Sequence, residues 1–249
     1  RIAHLDLTVS RVITGDPFGY RSRIELHAAA EGVGFFAGQS HRIVPIEACM
    51  IAQPMLSEAI VPLRCAMRET GMGPLCTVEL VAAGSGDMVA VGRCATNRPD
   101  RLLAALMALP GVRGAAAGRP GQWQEWGDLE ISWPTLAGVD RPVEARCDAR
   151  GFAQANAGLN RGLVAAAMGL VCPQPGQRIV ELYCGAGNLT LSLAAGGADV
   201  VAVEVDAGGI EAAEVFATSA MFMKKRSGAI GRRFWAACRM RTLAWCGTT

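Results

Sequence analysis

The sequence predicts an α/β protein in two unequal parts. Residues 1–150 read as a β-rich α+β domain, residues 151–214 as the opening of a nucleotide-binding α/β unit, and residues 215–249 as an atypical basic tail. Three observations carry this. Short β-like runs punctuated by Gly and Pro fill the first 150 residues. Beyond Arg150 the pattern changes to helix, turn, strand, helix, strand, the order that builds a parallel sheet. Within that second part an apolar strand begins at Ile179 and Val180, breaks at Gly185 and Gly187, and resumes from Asn188 in a helical pattern with Leu189, Leu191 and Leu193.

The elements follow in order. Tyr20 to Ala28 alternates around Ile24 and Leu26, as a strand does, and 32–38 and 42–46 give two more, with glycines marking turns or bulges. Pro54 to Arg68 has helical periodicity, with Leu56, Ile60, Leu63 and Met67 on one face. Pro54 suits a helix start, and Pro62 is placed to kink the segment. Leu75 to Ala83 and Met88 to Cys94 form an expected hairpin around residues 84–87. Arg98 to Leu109 reads as a short helix, with Asp100 in its first turn and Pro110 as its stop. Short strands are expected at 112–117, 122–126 and 129–133. Trp123, Trp126 and Trp133 offer either base stacking or cross-strand packing. After Arg150 come a helix from Asn156 to Leu170, a turn at 173–176, and the strand–glycine–helix stretch. A second strand, from Asp199, ends at the acid Glu204.

Composition permits a packed core. Of 249 residues 51% are apolar and 18% charged, which excludes wholesale disorder. Gly, Arg or Glu breaks every long apolar run well short of a bilayer span, so neither a transmembrane helix nor a signal peptide is expected, and the chain reads as cytoplasmic. It starts at Arg1 rather than Met and is expected to be a piece of a longer protein. Nine cysteines lie scattered without a Cys-x-x-Cys pair, which points to reduced, mostly buried thiols rather than a disulfide framework. The net charge of +2 hides an asymmetry: the tail holds seven basic residues and no acid, leaving 17 basic against 22 acidic residues, a net of −5, in the first 214. A basic tail is one route to nucleic acid.

The glycine stretch is the chemically informative one. Glycines let the backbone turn tightly and approach a ligand where a Cβ would collide. An acid such as Glu204, at the tip of the second strand, can accept hydrogen bonds from both hydroxyls of a ribose. The array Glu181-x-x-x-Gly185-x-Gly187 departs from the dinucleotide fingerprint, whose third glycine would fall at Thr190. It resembles the first motif of S-adenosylmethionine-dependent methyltransferases instead, whose cofactor has no pyrophosphate.

Further stretches match one family in the right order. They are Phe18-Gly-Tyr-Arg21 with Arg23 and Leu26-His27; Gly34-Phe35-Phe36 with Ser40-His41 and Ile46-x-x-Cys49; Phe152-x-Gln154-x-Asn156; and residues 181–190. Together these resemble the RNA uracil-5-methyltransferases, which methylate C5 of uridine in ribosomal or transfer RNA. The resemblance implies a Rossmann-like methyltransferase domain, S-adenosyl-L-methionine as cofactor, RNA as partner, ribosomal before transfer RNA, and a monomer. Residue by residue, it places Gln154 at the cofactor and target base, where an amide supplies both donor and acceptor. Tyr183 becomes the aromatic lining the cofactor pocket, Gly185, Gly187 and Asn188 its loop, and Glu204 the acid on the ribose. Helix N-capping is the competing reading for Gln154 and Asn156, and the preferred one for Asn156. Cys49 matches the fourth ligand of an iron–sulfur cluster in those members that bear one; the other three cysteines would precede this chain, so Cys49 is an orphan metal ligand or an ordinary buried thiol.

The resemblance stops short of the family's chemistry. Its nucleophilic cysteine in a Ser-Cys-Asn-Pro context, its later glutamate base and its Asp-Pro-Pro motif have no counterpart here; Cys238 and Cys246 stand in other contexts, and Cys184 lies in the cofactor loop. No catalytic residue is identified, and the chain as given is expected to be inactive. The alternatives are an RNA- or cofactor-binding remnant and a small-molecule methyltransferase. The family pattern runs through a second helix, 209–214, and decays after Val215, so the tail is expected to follow a shifted reading frame or an early truncation, with a real basic RNA-binding tail as the alternative, and to add no third strand. Its clusters Lys224-Lys225-Arg226 and Arg232-Arg233 repel each other without acids to pair them.

Overall fold

A computed structural model describes residues 9, 11–29, 32–70, 76–84, 86–94, 98–135, 143–204 and 222–223. The alternation around Ile24 and Leu26 forms β1 (Arg23–Ala29), with Ile24, Leu26 and Ala28 buried on one face. β2 (Gly32–Phe36) and β3 (Ile43–Pro45) follow as antiparallel neighbours. Only glycine fits at Gly34, where a Cβ would lie 1.9 Å from the Val44 carbonyl oxygen.

The periodic segment after Pro54 is two helices, α1 (Pro54–Glu58) and α2 (Ile60–Glu69), divided at Ala59. Pro62 is the cause: it has no N–H to offer the Glu58 carbonyl four residues back, and its ring crowds that oxygen. The apolar face survives the break, since Leu56, Ile60, Leu63 and Met67 are all buried. The expected hairpin is β4 (Cys76–Ala82) with β5 (Met88–Cys94). α3 (Pro99–Met107) then crosses over to β6 (Val112–Arg119), which runs parallel to β5, and β7 (Gln122–Gly127) returns antiparallel. These strands make one seven-stranded sheet in the order β3-β2-β1-β4-β5-β6-β7.

Both faces of that sheet are covered, which is why β5 is apolar at nearly every position. The helices α1 to α3 pack on one face through Leu56, Leu63, Leu102 and Leu106. On the other face Val81, Val89, Val91 and Ala116 meet a separate antiparallel hairpin, β8 (Glu130–Thr135) with β9 (Val143–Asp148), through Leu129, Ile131 and Cys147. The sequence reading passed over β9, although Ala145 and Cys147 alternate with Glu144, Arg146 and Asp148 as a half-buried strand should. Trp123 and Trp133 pack against this second core, whereas Trp126 is 41% exposed.

The second part is ordered as expected: α4 (Ala157–Val171), β10 (Arg178–Leu182), α5 (Thr190–Ala195) and β11 (Asp199–Val203), with β10 and β11 parallel. The sheet does not end there. β12 (Phe222–Met223), from the apolar run 220–223, pairs parallel with β11 at Val201↔Phe222 and Ala202↔Met223. The expectation of no third strand is therefore corrected. Two residues suffice to occupy part of the backbone edge that β11 would otherwise present. The basic clusters, Cys238, Cys246 and the helix expected at 209–214 lie outside the described residues. Among the described residues, no helix is long and apolar enough to cross a membrane.

Candidate functional site

The glycine loop leaves the C-terminal end of β10 in an unusual conformation. Tyr183, Gly185 and Gly187 have φ of +59°, +55° and +85°. Glycine adopts this region freely, but a tyrosine rarely does. What holds Tyr183 there is backbone pairing: its N–H and that of Cys184 both donate to the Val203 carbonyl, at 2.8 and 3.3 Å. The Tyr183 ring is left 73% exposed beside the loop. Next along the loop, Gly185 N–H donates to Glu204 Oε2 at 2.8 Å. Glu204 thus closes the loop against the end of β11. A Cβ added at Gly185 would meet nothing within 4 Å, so the loop faces open space at this point. Ala186 turns the other way and is buried in the second core of the large sheet.

Asn188 does not point outward. Its Oδ1 accepts from Asn160 Nδ2 and its Nδ2 donates to Asn160 Oδ1, both at 2.8 Å, while Trp133 Nε1–H donates to the same Oδ1 at 3.3 Å. Asn160, on α4, is 3% exposed. This amide pair ties the glycine loop to α4 and, through the indole, to β8. Replacing Asn160 by Ala is expected to cost about 2 kcal/mol, because the half-buried Asn188 amide loses both of its bonds to Asn160 and keeps only the Trp133 indole as a partner. Urea unfolding midpoints of parent and variant measure this. Sequence reasoning missed Asn160, and it gave Trp133 base stacking or cross-strand packing rather than a bond to Asn188; the available signal for Asn160 was a lone amide on the buried face of α4 together with Val164.

Gln154 sits elsewhere. It lines a cavity of about 320 Å³ together with Ser22, Gln53, Ser132 and Trp133. Its segment is pinned to β1: the Ser22 N–H and hydroxyl both donate to the Ala155 carbonyl, at 2.7 and 3.1 Å. Arg23 donates to the carbonyls of Gly151 at 2.8 Å and Ala149 at 2.6 Å. Asn156 is the N-cap of α4, its Oδ1 accepting from Leu159 N–H at 2.8 Å. Trp133 thus lines the cavity with Gln154 and bonds Asn188, while Tyr183 and Gly185 on the loop and Glu204 at the end of β11 do not line the cavity.

Two titratable groups lie beneath the loop. Burial pushes the Glu181 carboxyl up to about 7, opposed by the Thr190 hydroxyl, which donates to it at 2.5 Å. The buried Cys184 thiol is pushed up to about 12, first by burial and then by the charges of Glu181 and Glu204. Cys49 is also buried, and its N–H donates to Ser57 Oγ at 2.9 Å. A cluster needs four thiolates, and among the described residues no group of three Cys, His, Asp or Glu is gathered to hold a metal.

Residues 133–221 match the family model described as tRNA (Uracil-5-)-methyltransferase. The match begins within β8 and continues past residue 214. Over 212 residues, 79% of this chain, the sequence is 32% identical to the 23S rRNA (uracil(1939)-C(5))-methyltransferase of Shewanella baltica (strain OS223), covering 47% of it. It is 33% identical to the enzyme of the same description from Shewanella sp. (strain W3-18-1) over 213 residues, 79% of this chain and 46% of that one. The chain is a homologue of the RNA uracil-5-methyltransferases. It spans about half the length of these uracil-5-methyltransferase relatives. In structure it matches the Pyrococcus abyssi tRNA (uracil-54, C5)-methyltransferase, solved in complex with S-adenosyl-L-homocysteine, with a TM-score of 0.63 and 20% identity over 81% of this chain and 53% of that one. That likeness bears out the fold, a Rossmann-like methyltransferase unit preceded by a β-rich domain.

Proposed function

We propose that this chain is the cofactor-binding portion of an S-adenosylmethionine-dependent enzyme that methylates C5 of uridine in RNA, ribosomal RNA before transfer RNA. The observation that supports this most is the linkage of two half-sites: a glycine loop closed by Glu204, and a cavity holding Gln154, joined through Trp133 and Asn188. The fit to the cofactor is chemical. Glu204 supplies acceptors for ribose hydroxyls, Tyr183 an exposed ring at the loop's edge, and Gly185 an open approach to the backbone. When bound, the cofactor supplies an electrophilic methyl group on a sulfonium. Gln154 matches the alternating acceptors and donor of a uracil edge, and so orients the base. Asn188 positions the loop rather than touching the ligand.

Methylation at C5 requires a thiolate to add to C6 first. Cys184 cannot serve, since its buried thiol stays protonated far above neutral pH. Cys238 and Cys246 do not stand in the family's nucleophile context. The 249-residue chain is therefore proposed to bind cofactor and RNA as a cytoplasmic monomer without turning over by itself. Incubation with radiolabelled S-adenosylmethionine and an unmodified ribosomal RNA transcript tests this. Methylated transcript would overturn the inactivity, and methyl transfer to small acceptors alone would overturn the RNA reading. Glu204→Ala is expected to weaken cofactor binding by about 1–3 kcal/mol, roughly five- to 150-fold, through lost hydrogen bonds. Calorimetric titrations giving equal affinities for parent and variant would remove Glu204 from the site.

A further inference from the structure

Cys76 and Cys94 face each other directly across β4 and β5, at the end of the hairpin away from its turn. The class of this pair is set by the opposite end. There Ala82 N–H donates to the Ser22 carbonyl at 2.8 Å, and Met88 N–H to the Gly111 carbonyl at 2.9 Å. Ala82 and Met88 are cross-strand partners, yet both amides point away from each other, so this pair exchanges no hydrogen bonds. Hydrogen-bonded and non-hydrogen-bonded pairs alternate along an antiparallel ladder. The β4–β5 ladder runs from Ala82↔Met88 to Cys76↔Cys94 with no break in register, and an even number of steps separates the two pairs. The cysteines therefore occupy a non-hydrogen-bonded pair, the class with the closer Cα approach, about 4.5 Å. That falls within the span of roughly 4.4–6.8 Å that a disulfide bridges.

Both cysteines are free thiols, 1% and 8% exposed. Burial, together with Cys94 alongside, pushes the Cys76 thiol up to about 12, as expected of two thiols in contact. Neither has a part in methyl transfer, and the chemistry of the pair is independent of that activity. We propose that Cys76 and Cys94 form a covalent modification site, a cross-strand dithiol that closes to a disulfide by exchange with a small-molecule disulfide such as oxidised glutathione. The less buried Cys94 attacks first: its thiol gives up a proton, a protein–glutathione S–S bond forms, and one glutathione thiolate leaves. Cys76 then attacks the Cys94 sulfur, loses its own proton, and releases the second glutathione thiolate. Two protein thiols are oxidised and one glutathione disulfide is reduced to two thiols.

The test uses the unmodified full chain in its native state. It is incubated with oxidised glutathione at pH 8, its remaining thiols are blocked with N-ethylmaleimide, and it is digested with trypsin without reductant. Arg68 and Arg93 bound a fragment carrying Cys76, and Arg93 and Arg101 one carrying Cys94, because Pro99 protects the bond after Arg98. The expected result is these two fragments joined, two hydrogens lighter than their sum, and more abundant than after the same treatment in guanidinium, where all nine cysteines compete. The exposed Cys65 and Cys172 report on the reagent by becoming glutathionylated. With those two modified, recovery of Cys76 and Cys94 as separate maleimide adducts, as lasting glutathione adducts, or joined to other cysteines no less often than to each other overturns the proposal.

Discussion

An Arg23→Met variant is expected to lose about 3 kcal/mol of folding stability. Arg23 is 13% exposed, with Nε 3.1 Å from Glu79 Oε1 and two guanidinium hydrogen bonds to the carbonyls of Ala149 and Gly151. Methionine keeps the apolar stem and removes the charge. Glu79, 11% exposed in its side chain, then keeps Arg93, at 3.1 Å, as its ion-pair partner among the described residues. Removing one partner of a buried pair costs more than the pair contributes, because the other charge stays buried. The two carbonyls lose their donors as well, each worth about 1 kcal/mol. Arg93→Met is the control: that side chain is 35% exposed and Glu79 would keep Arg23, so the expected loss is about 1 kcal/mol. Urea unfolding of both variants decides. A loss for Arg23→Met no larger than that for Arg93→Met would mean that segment 149–156, which carries Gln154, is held by Ser22 and packing instead.

How far the sequence spoke depended on whether an interaction was local. β1, the β4–β5 hairpin and the β10–α5–β11 unit were legible because alternation, turn residues and glycine spacing are written within a few residues of one another. The Asn156 cap was legible for the same reason. Asn188 was not. Its place in the motif marked it as important, but its partners, Trp133 and Asn160, lie 55 and 28 residues away, and only folding shows that they engage the amide. Glu204 was read as a ligand to a ribose, and its hydrogen bond to Gly185 gives it a second task that no spacing rule contains. The split at Ala59 was announced by Pro62. The third strand at Phe222–Met223 was missed because two residues in a basic context give no periodic signal.

Glu181→Gln is expected to stabilise the protein at pH 8 by up to about 3 kcal/mol and to change little at pH 4. Burial raises the folded-state pKa of this carboxyl from 4.5 to about 7. Below pH 4.5 folded and unfolded chains both hold the proton, and the group's full contribution to stability is present. As pH rises toward 7 the unfolded chain gives up a proton that the folded chain keeps, so stability falls; above 7 the folded state bears an ionised, desolvated carboxylate and the loss is complete. Glutamine is neutral at every pH, and its Oε1 can still accept the Thr190 hydroxyl that now donates to Glu181. Thermal midpoints of parent and variant should therefore coincide at low pH and separate between about pH 5 and 7, the variant higher. A variant less stable at every pH would show that Glu181 is ionised in the folded protein and held by its hydrogen bonds. Calorimetry supplies the functional side of the same prediction. Glu181, once ionised, and Glu204 both raise the Cys184 thiol, so both carboxyls lie close to the glycine loop. If the proposed cationic methyl donor binds over that loop, its charge favours ionised Glu181, and binding near pH 6.5 should release protons. The heat of binding by the parent would then depend on the buffer's ionisation enthalpy, and that of Glu181→Gln would not.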